Sequence, residues 1–261
     1  AAVVVNKDNR VVVYMGDDER GEFLYRFVSD SIFEPDGDNS KILESGSLYV
    51  AKFTDNKRGE WLELTAKSTG MKSQAEVCVH TRKAGSLVGA TTMDRPEWVA
   101  VNPHDEGVYC CLTNNKNRGI KPNAGGDETP IGGPNPRPKN IYGQIIRWQP
   151  DENDHTNSHF SWDIFALAGN PHMHSGLNAG SSNINPDNIF NSPDGLAFDK
   201  RGRLWIQTDG NYSNAGDFSW MGNNQMLVAD TNTGEIKRFL VGPKECEVTG
   251  ITWSPDRKTM F

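Results

Sequence analysis

The chain has 261 residues, a net charge of −7 and 36% hydrophobic residues, which fits one large folded domain and excludes a disordered chain. It has no run of about 18 apolar residues, so the sequence contains no membrane span. The acidic balance argues against nucleic acid as a partner, because phosphate neutralisation needs clustered Lys and Arg. It is compatible with binding of metal cations. The 26 glycines and 14 prolines are typical of a turn-rich β protein.

The first part of the chain predicts a strand, a turn and a second strand over residues 3–14, where two valine runs flank a polar turn. Two further strands are expected at 22–28 and 47–53. Residues 74–88 contain few Gly or Pro and carry small and apolar side chains at helical spacing. They predict the one clear helix of the chain.

Two groups of four strands follow, each read from apolar runs separated by Gly, Asn and Asp turns. The predicted strands are residues 98–102, 107–113, 143–149 and 160–167, and then 195–199, 203–209, 225–230 and 235–240. Each group is a four-stranded antiparallel meander. A further copy opens about 50 residues after the previous one, a period typical of propeller blades.

These strands predict a mainly β fold that forms part of a β-propeller, with roughly three to four blades of four-stranded antiparallel sheet and one short helix insertion. The repeat begins inside a first strand and stops inside a second strand, which would leave unpaired sheet edges. We therefore expect residues 1–261 to be a single propeller domain fragment that is truncated at both ends.

The most informative feature is a short pattern that occurs three times. The copies are residues 95–101, 192–198 and 246–253. Each places an acid just ahead of a short apolar strand, and these acids are Glu97, Asp194 and Glu247. Equivalent ends of equivalent strands converge on one mouth of a propeller, so the three carboxylates would form a cluster that needs cations such as Ca²⁺. The alternative is that each acid only accepts hydrogen bonds from backbone N–H groups of its turn.

Other polar side chains are candidates for the same site. Arg95 stands two residues before Glu97, so both point to the same side of an extended chain, and a guanidinium there suits bidentate binding of phosphate. The alternative is a surface salt bridge. Glu22 ends the acidic segment 15–22 and leads a strand, which makes it the member of that segment expected to reach a central site; the alternative is a solvated hairpin tip.

Two long polar loops interrupt the strand pattern, at residues 114–140 and 170–191. Loops of this length in a compact domain are usually functional or disordered. The second loop contains His172 and His174, which are either a pair of metal ligands or solvated loop side chains. No Gly-x-Ser-x-Gly motif and no phosphate-binding glycine loop is present.

At these residues the sequence resembles the PhoX-type alkaline phosphatase family, calcium-dependent propeller enzymes of bacteria. The matching stretches span almost the whole chain in order. They are VVYMGDDER at 12–20, VGATTMDRPEW at 88–98, NINPDN at 183–188, NSPDGLAFD at 191–199 and ECEVTG at 245–250. A lone Asp-Gly-Leu motif would be weak, because many propellers contain it, whereas five stretches in order are specific.

The resemblance implies a six-bladed propeller that is exported to the periplasm or secreted, and that hydrolyses small phosphate monoesters at a central cluster of Ca²⁺ and Fe³⁺. It implies four metal ligands, Glu22, Glu97, Asp194 and Glu247, with Glu19 competing for the role of Glu22. It also implies a phosphate-binding role for Arg95 and catalytic roles for Arg95, Glu97 and Asp194. The family's N-terminal region, with an export signal and a cysteine that ligates iron, has no counterpart in these residues. The resemblance therefore does not extend to the iron half of the site or to activity of this fragment alone.

Two other functions fit the same carboxylate pattern. A lactonase-like, calcium-dependent propeller hydrolase needs one metal and no arginine that faces the substrate. A non-catalytic propeller module would use the acids to hold a structural Ca²⁺ and its long loops to bind a partner. Fold alone does not choose among the three functions, whereas the Arg95 and Glu97 pair favours the phosphatase.

Overall fold

A computed structural model describes all 261 residues, Ala1–Phe261, as thirteen β-strands and three short α-helices. The strands are β1 (Ala2–Val5), β2 (Arg10–Gly16), β3 (Leu24–Ile32), β4 (Gly46–Phe53), β5 (Arg58–Glu63), β6 (Pro96–Val101), β7 (Val108–Leu112), β8 (Gln144–Pro150), β9 (His159–Leu167), β10 (Pro193–Phe198), β11 (Arg203–Thr208), β12 (Gln225–Asp230) and β13 (Ile236–Val241). The helices are α1 (Ala66–Thr69), α2 (Gln74–Val79) and α3 (Thr81–Leu87). None of these helices is long and apolar enough to cross a membrane.

The strands form two antiparallel sheets. One has nine strands in the order β1-β2-β3-β4-β5-β9-β8-β7-β6, and the other has four in the order β10-β11-β12-β13. The larger sheet curls so that β1 and β2 contact β6, and β10 in turn lies against β6 and β7. The first strands of the three groups, β1, β6 and β10, are therefore neighbours. The prediction of a mainly β fold is confirmed, whereas the number of blades in the whole protein stays a prediction.

Twelve of the thirteen strands fall where the sequence predicts strands. β5 was not expected; it forms a hairpin with β4 through the turn 54–57 and joins β9 by a short ladder that pairs Gly59 with Phe160. This ladder fuses the first two groups into one sheet. The same pairing explains Gly59, because a Cβ at this position would lie 2.2 Å from the Phe160 ring.

Two local predictions were wrong in detail. The single helix expected over 74–88 is two helices, because His80 has non-helical backbone angles of φ −115° and ψ 47° between α2 and α3. The strand pair expected after Glu247 is reduced to one isolated bridge between Trp253 and Met260. Thr252 and Phe261 exchange two backbone hydrogen bonds beside this bridge, but the segment makes a single backbone contact with β11, from the Val248 N–H to the Thr208 carbonyl at 3.5 Å. No ladder with β11 therefore extends the strand.

Three apolar clusters hold the elements together. The largest joins the second group of strands to the four-stranded sheet and contains Tyr109, Phe165 and Leu204. The next fills the inside of the curled nine-stranded sheet with aromatic side chains, including Tyr14, Trp61, Trp148 and Phe160. The smallest packs the helices against β3 and β4. Burial of such side chains contributes about 1.5–3 kcal/mol each, which makes these clusters the main source of stability.

A fully buried ion pair fixes the long loop 114–140. The Arg118 Nε donates to Asp94 Oδ1 at 2.6 Å, and both side chains are 0% exposed. The same guanidinium donates to the Thr92 carbonyl at 2.9 Å and to the Pro130 carbonyl at 3.2 Å. Asn140 completes the network by donating to Asp94 Oδ2. The loop is therefore an ordered part of the core that is tied to the residue just before Arg95.

Replacement of Arg118 by Met is expected to lower the free energy of unfolding by about 3–5 kcal/mol, because it leaves the Asp94 carboxylate buried without its cation. Urea denaturation of the two proteins measures this difference. A matched control is Arg10→Met, which breaks an exposed pair with Asp8 and should cost less than about 1 kcal/mol. Equal losses of unfolding free energy in the two variants would show that the buried pair stabilises the fold no more than the exposed pair does.

Candidate active site

The repeat of the three acids is visible in the backbone. The residue two positions before each acid adopts a left-handed conformation, with φ of 60° at Arg95, 51° at Ser192 and 66° at Glu245. Such angles are uncommon for residues other than glycine and are found mostly where the fold enforces them. The chain therefore makes the same turn before Glu97, Asp194 and Glu247.

The first two copies also share a β-bulge at the acid. Pairing shifts by one residue between Pro96 and Val99 on β6, and in the same way between Pro193 and Leu196 on β10. A bulge of this kind turns a side chain away from the regular alternation of the strand, and bulges are frequent beside active sites. The bulge, and not the regular alternation of the strand, therefore sets the direction of the Glu97 and Asp194 side chains.

The backbone around Glu97 is closely packed. Gly16, the last residue of β2, approaches the acid so tightly that a Cβ there would lie 2.2 Å from the Pro96 carbonyl oxygen and 2.6 Å from that of Glu97. Only glycine fits at this position without moving the chain. The end of β2 therefore lies against the start of β6 and brings the residues after Gly16 to the acid.

Glu97 is partly buried, and its Oε2 atom is inaccessible to solvent and has no hydrogen-bond partner. Burial and, after it, the charges of Asp194 and Asp18 raise the pKa of this carboxyl group to about 7, against the opposing charge of Arg95. An ionised carboxylate in this place is unstable without a cation.

Asp194 is the second acid of the pair. Burial and the charges of Asp209 and Asp18 raise its pKa to about 6, against the opposing effects of Thr113 and Arg95. The fully buried Thr113 donates its hydroxyl to Asp194 Oδ1 at 3.2 Å, and its N–H donates to the Arg95 carbonyl at 3.1 Å. Thr113 therefore connects the backbone of one copy to the carboxylate of the next.

Arg95 lies beside both carboxylates and forms an ion pair with Asp18. Its Nε is 2.9 Å from Asp18 Oδ1, and its Nη2 donates to Oδ2 at 3.0 Å. The Arg95 side chain is 19% exposed. The guanidinium is thus held at the edge of the site, where it remains accessible to an anion.

The other two acids expected in the cluster have different surroundings. Glu22 is 2% exposed, lies 3.6 Å from the Arg82 Nε, and is within electrostatic range of Asp17 and Asp127. Burial raises its pKa, and its Oε2 also has no hydrogen-bond partner. Glu22 lines a cavity beside α3, and neither Glu97 nor Asp194 lines that cavity.

Glu247 is exposed, and burial together with the charge of Asp209 raises its pKa. The metal-ligand roles of Glu22 and Glu247 stay predictions. The two loop histidines pack locally: His172 lies against Trp220, and His174 lies against Tyr142 with its Nε2 3.2 Å from Asp217.

Sequence reasoning missed three polar residues of this site. Asp18, Thr113 and Asp209 follow the second strand of each copy, β2, β7 and β11. A second strand runs antiparallel to the first, so its end lies at the same edge of the sheet as the start of the first strand. The Asp209 N–H donates to the Ser192 carbonyl at 3.1 Å, as the Thr113 N–H does to Arg95. Their equivalent positions after the second strands were the sequence signal that could have identified these three residues.

The residues fit part of a metal site. Glu97 and Asp194 supply hard carboxylate oxygens, one of them unpaired, which is the donor type that Ca²⁺ and other hard cations prefer. No three carboxylate, imidazole or thiol side chains of the 261 residues converge closely enough to hold an ion by themselves. Glu97 and Asp194 are thus suited to be two ligands of a site whose remaining positions are filled by other groups.

The chain is similar to proteins of a known family and to a solved structure. The profile of the alkaline phosphatase PhoX family matches residues 1–261. Among solved structures, Pseudomonas fluorescens PhoX in complex with vanadate, a transition state analogue, is 55% identical and superposes with a TM-score of 0.93. The match covers 99% of this chain and 46% of that one, so the chain spans about half the length of the solved structure. No curated protein matches the chain. On the family profile and this structural match, the chain belongs to the alkaline phosphatase PhoX family.

Proposed function

We propose that this chain carries part of the active site of a metal-dependent hydrolase that acts on small phosphate monoesters. The observation that carries the proposal is an accessible arginine, Arg95, beside two partly buried carboxylates of raised pKa, Glu97 and Asp194. The solved relative with vanadate, which its description calls a transition state analogue, supports a phosphoryl-transfer site in this family.

Each side chain has a separate role. Arg95 binds two oxygens of the phosphoryl group through its free N–H donors and offsets their negative charge. Glu97 and Asp194 hold cations at the edge of the substrate pocket, and Thr113 fixes the orientation of the Asp194 carboxylate. Bound Ca²⁺, together with Fe³⁺ held partly by other residues of the parent protein, would supply Lewis-acid stabilisation of the charge that develops during transfer.

Hydrolysis of p-nitrophenyl phosphate by the full-length protein tests the proposal. Turnover is expected to depend on added Ca²⁺, to be lost on chelation and to return when the metal is restored. The same assay with a lactone distinguishes the lactonase-like alternative. A protein that melts at a Ca²⁺-dependent temperature and turns over neither substrate would be the non-catalytic module instead.

A test of the 261-residue chain by itself answers a second question. Calcium-dependent turnover would mean that the site assembles from these residues. Loss of turnover in this chain but not in the full-length protein would assign essential ligands to the rest of the protein. Inactivity of the full-length protein with every metal would contradict the phosphatase proposal.

A further inference from the structure

Asp18 holds Arg95 in one particular way. Of the five N–H donors of a guanidinium, the ion pair uses the Nε–H and one N–H of Nη2, which together form one edge of the group. The other edge, formed by Nη1 and the second N–H of Nη2, makes no hydrogen bond to the protein. A planar guanidinium with one edge fixed presents the other edge in a defined direction, and this edge matches two oxygens of a phosphoryl group.

Asp18 is placed there by the backbone and not by chance contact of two surface side chains. It follows Gly16, whose missing Cβ allows β2 to lie directly against Pro96 and Glu97. Arg95 is itself restricted, since its backbone is left-handed and its carbonyl accepts from the Thr113 N–H. Both ends of the ion pair are therefore anchored, and the side chain of Arg95 is four-fifths buried.

The position of Asp18 also connects it to both acids. Its charge is one of the causes of the raised pKa of Glu97 and of Asp194. The carboxylate therefore lies within electrostatic range of the whole site. No carboxylate pairs with the other edge of the Arg95 guanidinium, formed by Nη1 and the second N–H of Nη2.

We propose that Asp18 is a positioning residue, which holds the Arg95 guanidinium by one edge and so directs the opposite edge at a phosphoryl group bound beside Glu97 and Asp194. The inference rests on the proposed function and names one further residue of the same site. Asp18 binds no substrate atom. It acts by removing the rotational freedom of a long side chain before the anion arrives.

The test compares Asp18→Asn with Asp163→Asn in the full-length protein. Asp163 on β9 forms an ion pair of the same form with Arg147 on β8, at 2.7 and 2.9 Å, and is as exposed as Asp18. Two quantities are measured: the Kd of inorganic phosphate by calorimetry, and kcat and KM for p-nitrophenyl phosphate. Asp18→Asn is expected to raise both Kd and KM about tenfold with a smaller change in kcat, while Asp163→Asn changes neither.

The dependence on Arg95 is tested by a double-mutant cycle. In an Arg95→Ala background, Asp18→Asn should have no further effect on the Kd, because the group that it positions is gone. Asp18→Glu should restore part of the phosphate affinity, since it keeps the charge. Metal content, measured by elemental analysis, should stay unchanged in Asp18→Asn.

The other outcomes separate failure of the inference from failure of the proposed function. Tighter phosphate binding by Asp18→Asn would show that Asp18 competes with the anion for Arg95, and loss of metal would make Asp18 a ligand. If the full-length protein turns over p-nitrophenyl phosphate and the Kd of phosphate is equal in Asp18→Asn and Asp163→Asn, the positioning role is refuted and the phosphatase proposal stays intact. A full-length protein that binds phosphate through Asp18 and Arg95 without turnover would refute the phosphatase proposal alone. Neither binding nor turnover would refute both.

Discussion

Replacing Glu97 with Gln is expected to lower kcat for p-nitrophenyl phosphate by about a thousandfold, because it removes a charged ligand from the site of charge development. The variant keeps the shape of the side chain, so the bulge on β6 and the packing against Gly16 remain. Steady-state kinetics of the full-length protein at saturating Ca²⁺ measures the effect. The matched control is Glu60→Gln on β5, a half-exposed acid that pairs with Lys52 of β4, and this variant should keep full activity.

Stability separates loss of chemistry from loss of folding in this variant. The Oε2 of Glu97 is buried without a partner, so an ionised carboxylate destabilises the metal-free protein at neutral pH. Glu97→Gln should therefore raise the melting temperature of the metal-free protein at pH 8 while it abolishes turnover. A variant that keeps its activity, or that loses both activity and stability, would contradict the role given to Glu97.

The sequence predicted most of the fold because its signal is local. Apolar alternation and turn residues mark β6 to β13 closely, and β12 (Gln225–Asp230) was predicted to the residue. β5 was missed although it forms a local hairpin with β4 through the turn 54–57. Its pairing with β9 joins residues about 100 positions apart in the chain, which no local pattern encodes. The break in the helix at His80 was not predicted either, because no Gly or Pro stands at this position to mark the end of a helix.

The site was predicted in part for the same reason. Glu97, Asp194 and Arg95 carry a repeated motif, and the structure brings these three together. Thr113 lies outside these motifs, and Asp18 lies in the matching stretch 12–20 without a role assigned to it there. Both act through contacts between copies, such as the 3.2 Å hydrogen bond from Thr113 to Asp194. A carboxylate that belongs to a motif of its own strand can be predicted from the sequence. Its partners on the neighbouring strand can be predicted only when the register of the two strands is known.

Metal affinity is expected to fall about a thousandfold between pH 8 and pH 5, because both acids must be ionised to bind a cation. The pKa of Glu97 is about 7 and that of Asp194 about 6 in the metal-free protein. Affinity should be constant above pH 8, fall about tenfold per pH unit between 7 and 6, and fall faster below 6 as the second acid becomes protonated. Calorimetric titration with Ca²⁺ at pH 5, 6, 7 and 8, in buffers of equal ionic strength, measures this profile.

The stability of the metal-free protein should change in the opposite direction. A carboxyl group whose folded pKa is raised binds protons more tightly in the folded state, so its contribution is complete below the unfolded pKa of 4.5 and is lost as the pH rises through 7. The melting temperature without metal should therefore fall between pH 5 and pH 8, and saturating Ca²⁺ should reverse the fall.

Glu97→Gln provides the decisive comparison for this pH dependence. The substitution removes the group that titrates near pH 7, so the metal-free variant should lose most of the decline in melting temperature between pH 6 and pH 8. Asp194 still titrates near pH 6, so a smaller decline at lower pH should persist. An unchanged profile in Glu97→Gln would place the proton on another group, and a Ca²⁺ affinity that is flat from pH 5 to pH 8 would exclude both carboxylates as ligands.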